Sequence, residues 1–436
     1  MKKISAIILT AFIICSLAAC SGQKDQASSQ SGASSSSASD TADTSAESTE
    51  GTESQDASQQ ESSAAESSVS AEKVVAEFSS SSSGKLSTTD LFTERDLLQT
   101  PDLSKATTIT ASDNKTETIT AEGTYIITGT ASNFTVKVGT GKNYKVQLVL
   151  DGLNVTNEST PVIYIAAADK CFVTTSGNES SLSVTGEFTN DGDTKTDAVI
   201  YSKDDLVLNG TGTLTINSAQ GNGISAKDDL KITGGTYNIT SAEECIEVKD
   251  SVSICGGTIN LQATKDGIQC KNKDDETKGS VYITGADITI NASNDAIQAA
   301  TVCQIDGGKL VLNGKEGIEA TYVQINDGEI TITGADDGIN AGQKTNYSTP
   351  TIEINGGTIK VTVGEGDTDA IDSNGDIIVN GGTIDITSTV SSFDYDGTAT
   401  YNGGTIIING EQVDSIPEPA MMGSGGGMGP GGNAPG

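Results

Sequence analysis

The chain has 436 residues, with 59 acidic against 25 basic side chains and a formal net charge of −34. That balance excludes a direct nucleic-acid binder, because phosphate contact needs a basic footprint. The absence of histidine excludes Ser-His-Asp and Cys-His nucleophiles and His-ligated metal centres. Hydrophobic content is only 34%, yet glycine is abundant (50) and proline scarce (7), a mix that suits a β-rich, turn-rich repeat protein.

Residues 1–20 read as an export signal, with Lys2 and Lys3 ahead of a short apolar stretch over 4–17. That stretch is too short to favour a membrane-spanning helix. It ends Leu17-Ala18-Ala19-Cys20, which resembles a bacterial lipobox. Cys20 is therefore expected to carry lipid and to hold the protein on the extracellular face of the bacterial cell membrane, its only membrane contact. Residues 21–100 read as a disordered tether. Positions 21–84 hold 23 serines and few large apolar side chains, too little to bury for folding. Residues 417–436, rich in Gly, Pro and Met, read as a flexible tail.

The body, 101–416, is a repeat. A short unit of acid, small residue, Ile and polar residue stands as Glu244-Cys245-Ile246-Glu247, Asp266-Gly267-Ile268-Gln269 and Asp295-Ala296-Ile297-Gln298. It continues as Glu316-Gly317-Ile318-Glu319, Asp337-Gly338-Ile339-Asn340 and Asp369-Ala370-Ile371-Asp372. Weaker copies lie around Ile224 and Phe393. The base period is about 22 residues, with two longer steps of 29 and 32. Each unit is followed by two alternating runs around a Gly turn, such as Ile352-Glu353-Ile354, Gly356-Gly357 and Thr358-Ile359-Lys360-Val361. Period-two alternation with β-branched residues predicts strands. Three short strands cannot close a core alone, but stacked copies bury their Ile/Val/Leu columns together. The expected fold is all-β: a parallel β-helix, a solenoid of coils of about 22 residues. Residues 101–197 lack the tidy unit and read as irregular first coils. Cys270 and Cys303 fall in the small and core columns as buried apolar residues, while pairing among Cys171, Cys245 and Cys255 stays open.

Stacking puts equivalent residues about 4.8 Å apart. Glu244, Asp266, Asp295, Glu316, Asp337 and Asp369 should then form a carboxylate ladder. Glu247, Gln269, Gln298, Glu319, Asn340, Asp372 and Asp394 should form a second one. Like charges so close repel by about 1 kcal/mol even at the dielectric of water, and more beside protein. Either the acids cap turns and tolerate the repulsion, or cations offset it. An oxygen-only ligand set points to Ca²⁺, with Asp336, Asp376, Asp394 and Asp396 as nearby oxygens. The two long steps insert 271–278 and 342–350 at the same turn, where they could wall a groove over the coils of Ile297 and Ile318.

The acid-Gly/Ala-Ile units, the Gly-Gly-Thr turns, Ala370-Ile371-Asp372-Ser373-Asn374-Gly375, Asp394-Tyr395-Asp396-Gly397 and the Gly/Met-rich tail together resemble a known family. It is the bacterial family of extracellular carbohydrate-binding parallel β-helix proteins. The resemblance implies a right-handed β-helix, a pectate-lyase-like fold, bound Ca²⁺, and binding of polygalacturonate, an acidic polysaccharide of the plant cell-wall type, and of cellulose. The metal candidates are Glu244, Glu247, Asp266, Asp295, Glu316, Glu319, Asp336, Asp337, Asp369 and Asp372. Lys265, Lys315, Gln269, Gln298 and Asn340 are the candidate sugar contacts. Two alternatives stand beside simple binding. One is a Ca²⁺-dependent polysaccharide lyase whose base is Lys265 or Lys315, since the body has no arginine. The other is a surface adhesin with a protein target.

Overall fold

The protein is described here by a computed structural model covering residues 85–366 and 368–419. The export signal, Cys20, most of the tether and the end of the tail lie outside these residues.

Among the described residues every regular element is a β-strand. The unit around Ile246 supplies Ile246–Val248, Ser251–Ile254 and Thr258–Ala263. In the last of these Ile259, Leu261 and Ala263 are buried, while Asn260 and Gln262 between them are exposed. This is the alternation that a half-buried strand requires. Equivalent strands of successive units pair in parallel, Ile246 against Ile268, Val252 against Val281 and Ile259 against Ile288. A 12-stranded sheet from Lys115–Ile119 to Ser391–Tyr395 carries the acid units. The other strands form a 24-stranded sheet, two parallel series joined where Lys145–Asn157 pairs with both Lys170–Thr175 and Ser180–Val184. The last pair, Thr405–Ile408 with Glu411–Val413, is antiparallel and ends the stack.

The core is a set of columns. Ile224, Ile246, Ile268, Ile297, Ile318, Ile339 and Ile371 are all fully buried, and Phe393 continues the line. Each such isoleucine contributes about 1.5–3 kcal/mol of burial. A slip of one residue would turn the whole set outward, so the columns also lock the register. The turns need glycine at one place. The second residue of the Gly-Gly turns, as at Gly235, Gly257 and Gly357, has φ of +90°, +103° and +82°, a region side-chain-bearing residues avoid. A turn-side ladder that the repeat analysis missed runs alongside. Asn402 donates to Asn380, Asn380 to Asn355 and Asn355 to Asn326, each at 2.7 Å.

Cys171, Cys245, Cys255, Cys270 and Cys303 are all buried and free, so the pairing left open among the first three does not form. The expected tether boundary at residue 100 is corrected as well. Residues 85–100 lie against the body. The Lys85 and Leu86 amides donate to the side chains of Gln324 and Gln304, both at 2.7 Å. Gln99 is buried and accepts from the Gly210 amide at 2.8 Å. The segment has no strand alternation and too few apolar residues to betray packing. Its attachment is made by polar groups that meet partners far along the chain.

Candidate functional site

Parallel register brings the acid column together on one edge of the 12-stranded sheet, because Ile297 pairs with Ile318 and Ile318 with Ile339. The expected residues do not all behave alike. Asp295, Glu316 and Glu319 form one group whose carboxylate oxygens lie within 4.8 Å of one another, and Glu316, Asp336 and Asp337 form a second. Glu316 is common to both. Asp295, Glu316 and Glu319 are buried, Asp295 to 3% exposure, which is far more than a solubilising edge charge would be.

The side chains around them are arranged to hold carboxylates. The Gln298 amide donates to Asp295 at 2.9 Å and to Glu319 at 2.7 Å. The Asn340 amide donates to Glu316 at 3.2 Å. Lys315 lies 2.8 Å from Asp336 and 3.7 Å from Glu316, and Lys344 pairs with Glu319. Two lysines therefore serve five carboxylates. The remaining repulsion appears in their proton affinities. Burial, with the charges of Glu319 and Asp337, pushes Glu316 up to about 7. Burial, with Asp336 and Asp369, pushes Asp337 up to about 6. Asp295 is raised by burial and by Glu316, Glu319 and Asp266.

The other candidates are placed differently. Glu247 is tied to Lys227 at 2.9 Å and accepts from Ser225 and Asn222. Burial opposes its charge, but Lys227 and these contacts hold its carboxyl below the ordinary range. Glu244 faces Lys265 at 3.6 Å, and Lys265 also reaches Glu243 at 3.2 Å. Asp266 accepts from Gln269, from Asn294 and from the Asp295 amide. None of these three acids joins a three-carboxylate group among the described residues. Asp369 gives its amide to Asp337 at 3.0 Å. Asp372 is pushed up to about 7 by burial and by Asp337, Asp369, Asp394 and Asp396, without entering either group. Asp376 caps a turn, accepting from both the amide and the hydroxyl of Thr398 at 2.8 Å.

Two oxygens stand out. The amide oxygens of Gln269 and Asn340 are buried and have no hydrogen-bond partner. Asn340 registers beside Glu319, and Gln269 beside Gln298, so the orphans flank the Asp295–Glu316–Glu319 group on either side. Buried acceptors without partners are rare and call for an unseen donor or ion. Oxygens sharing one hard cation at bonds of about 2.3–2.6 Å lie at most about 5 Å apart. The spacing within each group fits that limit, and the carboxylate-plus-amide set is the chemistry a hard divalent cation prefers.

A second cluster was missed. Asp205, Asp228 and Asp229 also come within 4.8 Å of one another. The signal was present as Lys203-Asp204-Asp205-Leu206 and Lys227-Asp228-Asp229-Leu230, a repeat at the neighbouring turn. The inserted loops do meet. The Asn346 amide donates to Glu276 at 3.1 Å, and the two loops border a cavity of about 350 Å³ that has Gln298, Ala299 and Ala300 among its lining residues.

A carbohydrate-binding domain-containing protein from Acetivibrio thermocellus is 40% identical over 95 residues, 21% of this chain, and the match spans only a third (33%) of that relative's length. The solved polysaccharide lyase-like protein from C. thermocellum is 24% identical, with 69% of this chain and 96% of that one covered, at a TM-score of 0.32. The family model described as carbohydrate-binding domain-containing protein matches residues 113–366 and 313–415, well over half of the sequence, and the chain belongs to that family.

Proposed function

We propose that this protein is a lipid-anchored cell-surface lipoprotein that binds acidic polysaccharide through Ca²⁺ held on a right-handed parallel β-helix. The observation that carries the reading is the pair of carboxylate groups sharing Glu316, with the orphaned amide oxygens of Asn340 and Gln269 beside them. Asp295, Glu316 and Glu319 would hold one ion, and Glu316, Asp336 and Asp337 would hold or share a second. Bound Ca²⁺ with open coordination positions accepts a uronate carboxylate. That matters because residues 101–436 carry 45 acids against 19 bases and would otherwise repel a polyuronate. Membership of a carbohydrate-binding family supports a polysaccharide as the partner.

The lyase reading is less well supported. Lys315 is hydrogen-bonded to Asp336, which raises its pKa, and Lys265 is raised by Glu244 and Glu243 against the effect of burial. Both changes make a poorer base. In native gels cast with polygalacturonate, migration of the mature chain is expected to slow with Ca²⁺ and recover with EDTA. Unchanged migration at every Ca²⁺ level overturns the reading. An absorbance rise from unsaturated product that depends on Lys315 would replace it with the lyase.

A further inference from the structure

Two adjoining cavities beside the acid-bearing sheet have lysine walls. The larger is lined by Lys271, Lys273 and Lys344 with Glu276, Gln298 and Thr345, above Ala299 and Ala300. The adjoining one, about 270 Å³, is lined by Lys227, Lys249, Lys271 and Lys273 with Glu247 and Asp274. Lys271 and Lys273 belong to both, so the cavities form one run. The lysines arise from the repeat itself. Lys227, Lys249 and Lys271 each follow the last residue of a sheet strand, Ala226, Val248 and Cys270, and these three residues are in register.

Charge bookkeeping separates these lysines from most others. In a chain of net charge −34, nearly every cation should find an acid. Lys227 pairs with Glu247, Lys249 with Asp274 and Lys344 with Glu319. Lys271 and Lys273 make no ion pair among the described residues, although Asp228 and Asp250 occupy the neighbouring turn. Neither of those acids lines the cavities. The only acid lining the larger cavity, Glu276, is engaged by Asn346. Its lining is therefore cationic within an anionic protein. An apolar floor of alanines, with the Gln298 amide and the Thr345 hydroxyl at the wall, suits a hydroxyl-rich ring carrying one negative group.

We infer that Lys271 and Lys273, with Lys344 opposite, form a metal-independent seat for the carboxylate of an acidic sugar. The inference rests on the acidic-polysaccharide reading above and adds to it a second kind of contact. Gln298 and Lys344 each touch both the cavity and the Asp295–Glu316–Glu319 group. One polymer can then meet cation-held carboxylates on one side and lysines on the other. The lysine contact aligns the chain and does not depend on the ion.

The test compares the full mature chain with its K271A/K273A variant on polygalacturonate and on its methyl-esterified form, each in Ca²⁺ and in EDTA. Neither lysine has an ion-pair partner among the described residues, so the variant is expected to fold. The wild type should retain weak, salt-sensitive binding to polygalacturonate in EDTA, and the variant should lose it by about tenfold, the effect of losing a charge-assisted contact. K271R/K273R should restore most of it, and the esterified polymer should bind in neither case. Equal binding by the wild type and the alanine variant in both buffers, with Ca²⁺-dependent retention intact, removes the lysine seat and leaves the ion-based reading standing. No retention of the wild type in either buffer removes both. Equal lysine-dependent binding to polyphosphate makes the run a general anion patch and overturns its assignment to sugar carboxylates.

Discussion

Asp96 and Lys231 stand 135 residues apart in sequence and meet at 3.1 Å. Asp96 is fully buried, is also 3.3 Å from Lys170, and accepts from the Thr93 amide at 3.0 Å. Burial opposes its charge, but the Thr93 amide and the two lysines outweigh it and hold the carboxyl below its ordinary range. This side chain is one of several polar groups that fasten the leading segment to the stack, beside Gln99 and the Lys85 and Leu86 amides. Replacing Asp96 by alanine leaves the nearly buried Lys231 ammonium without that anion and Lys170 with only Asp205 at 3.7 Å, at a cost of about 3–5 kcal/mol. D96A should lower the urea midpoint accordingly and make the chain between the tether and residue 100 sensitive to protease. An unchanged midpoint would show that the segment is not held by this contact.

Stability should respond to pH in opposite senses at the two ends. Glu316 and Asp372 are raised to about 7 and Asp337 to about 6. A carboxyl raised in the folded state binds its proton more tightly there than in the unfolded chain. Its contribution is complete below the unfolded value near 4 and is lost as pH rises through the folded value. The chelated protein is therefore expected to lose thermal stability from pH 5 to pH 8, and Ca²⁺ should restore it at pH 8. Asp96 works the other way: its contribution is present above the unfolded value and lost as pH falls through its depressed folded value. A chelated protein whose melting temperature rises from pH 5 to pH 8 would contradict the first half.

Glu316 belongs to both carboxylate groups, whereas Glu244 is paired with Lys265 and belongs to neither. E316Q should weaken Ca²⁺ binding by at least about tenfold, and E244Q should leave it nearly unchanged. Titration calorimetry with Ca²⁺ distinguishes them. Equal losses would mean that the whole column acts and the grouping has no meaning.

The Gly turns make a prediction that does not involve ligands. Gly357 has φ of +82°, and a Cβ there would lie 2.9 Å from the Gly328 carbonyl oxygen. G357V should cost at least about 2 kcal/mol from the left-handed backbone and the close contact together. At Gly364 a Cβ would meet nothing within 4 Å, so G364A should stay within about 0.5 kcal/mol of wild type. Thermal melts of the two variants provide the comparison.

The amino-acid sequence by itself determined the strands, their parallel register, the core columns and the two inserted loops. Those features are periodic, and a period of about 22 residues with inward Ile246, Ile268 and Ile297 admits one way of burying apolar surface. The acid ladders were legible as positions for the same reason. Which acids converge was decided by the tertiary structure. Glu247 was withdrawn by Lys227 from the preceding unit and Glu244 by Lys265 from the next, while Asp295, Glu316 and Glu319 were left to share an edge with few cations. The same holds for Asp96, whose partners arrive from 74 and 135 residues away. Backbone pairing repeats and can be counted along a chain. The partner of a buried charge is whichever side chain the folded geometry brings within reach, and no local pattern records it.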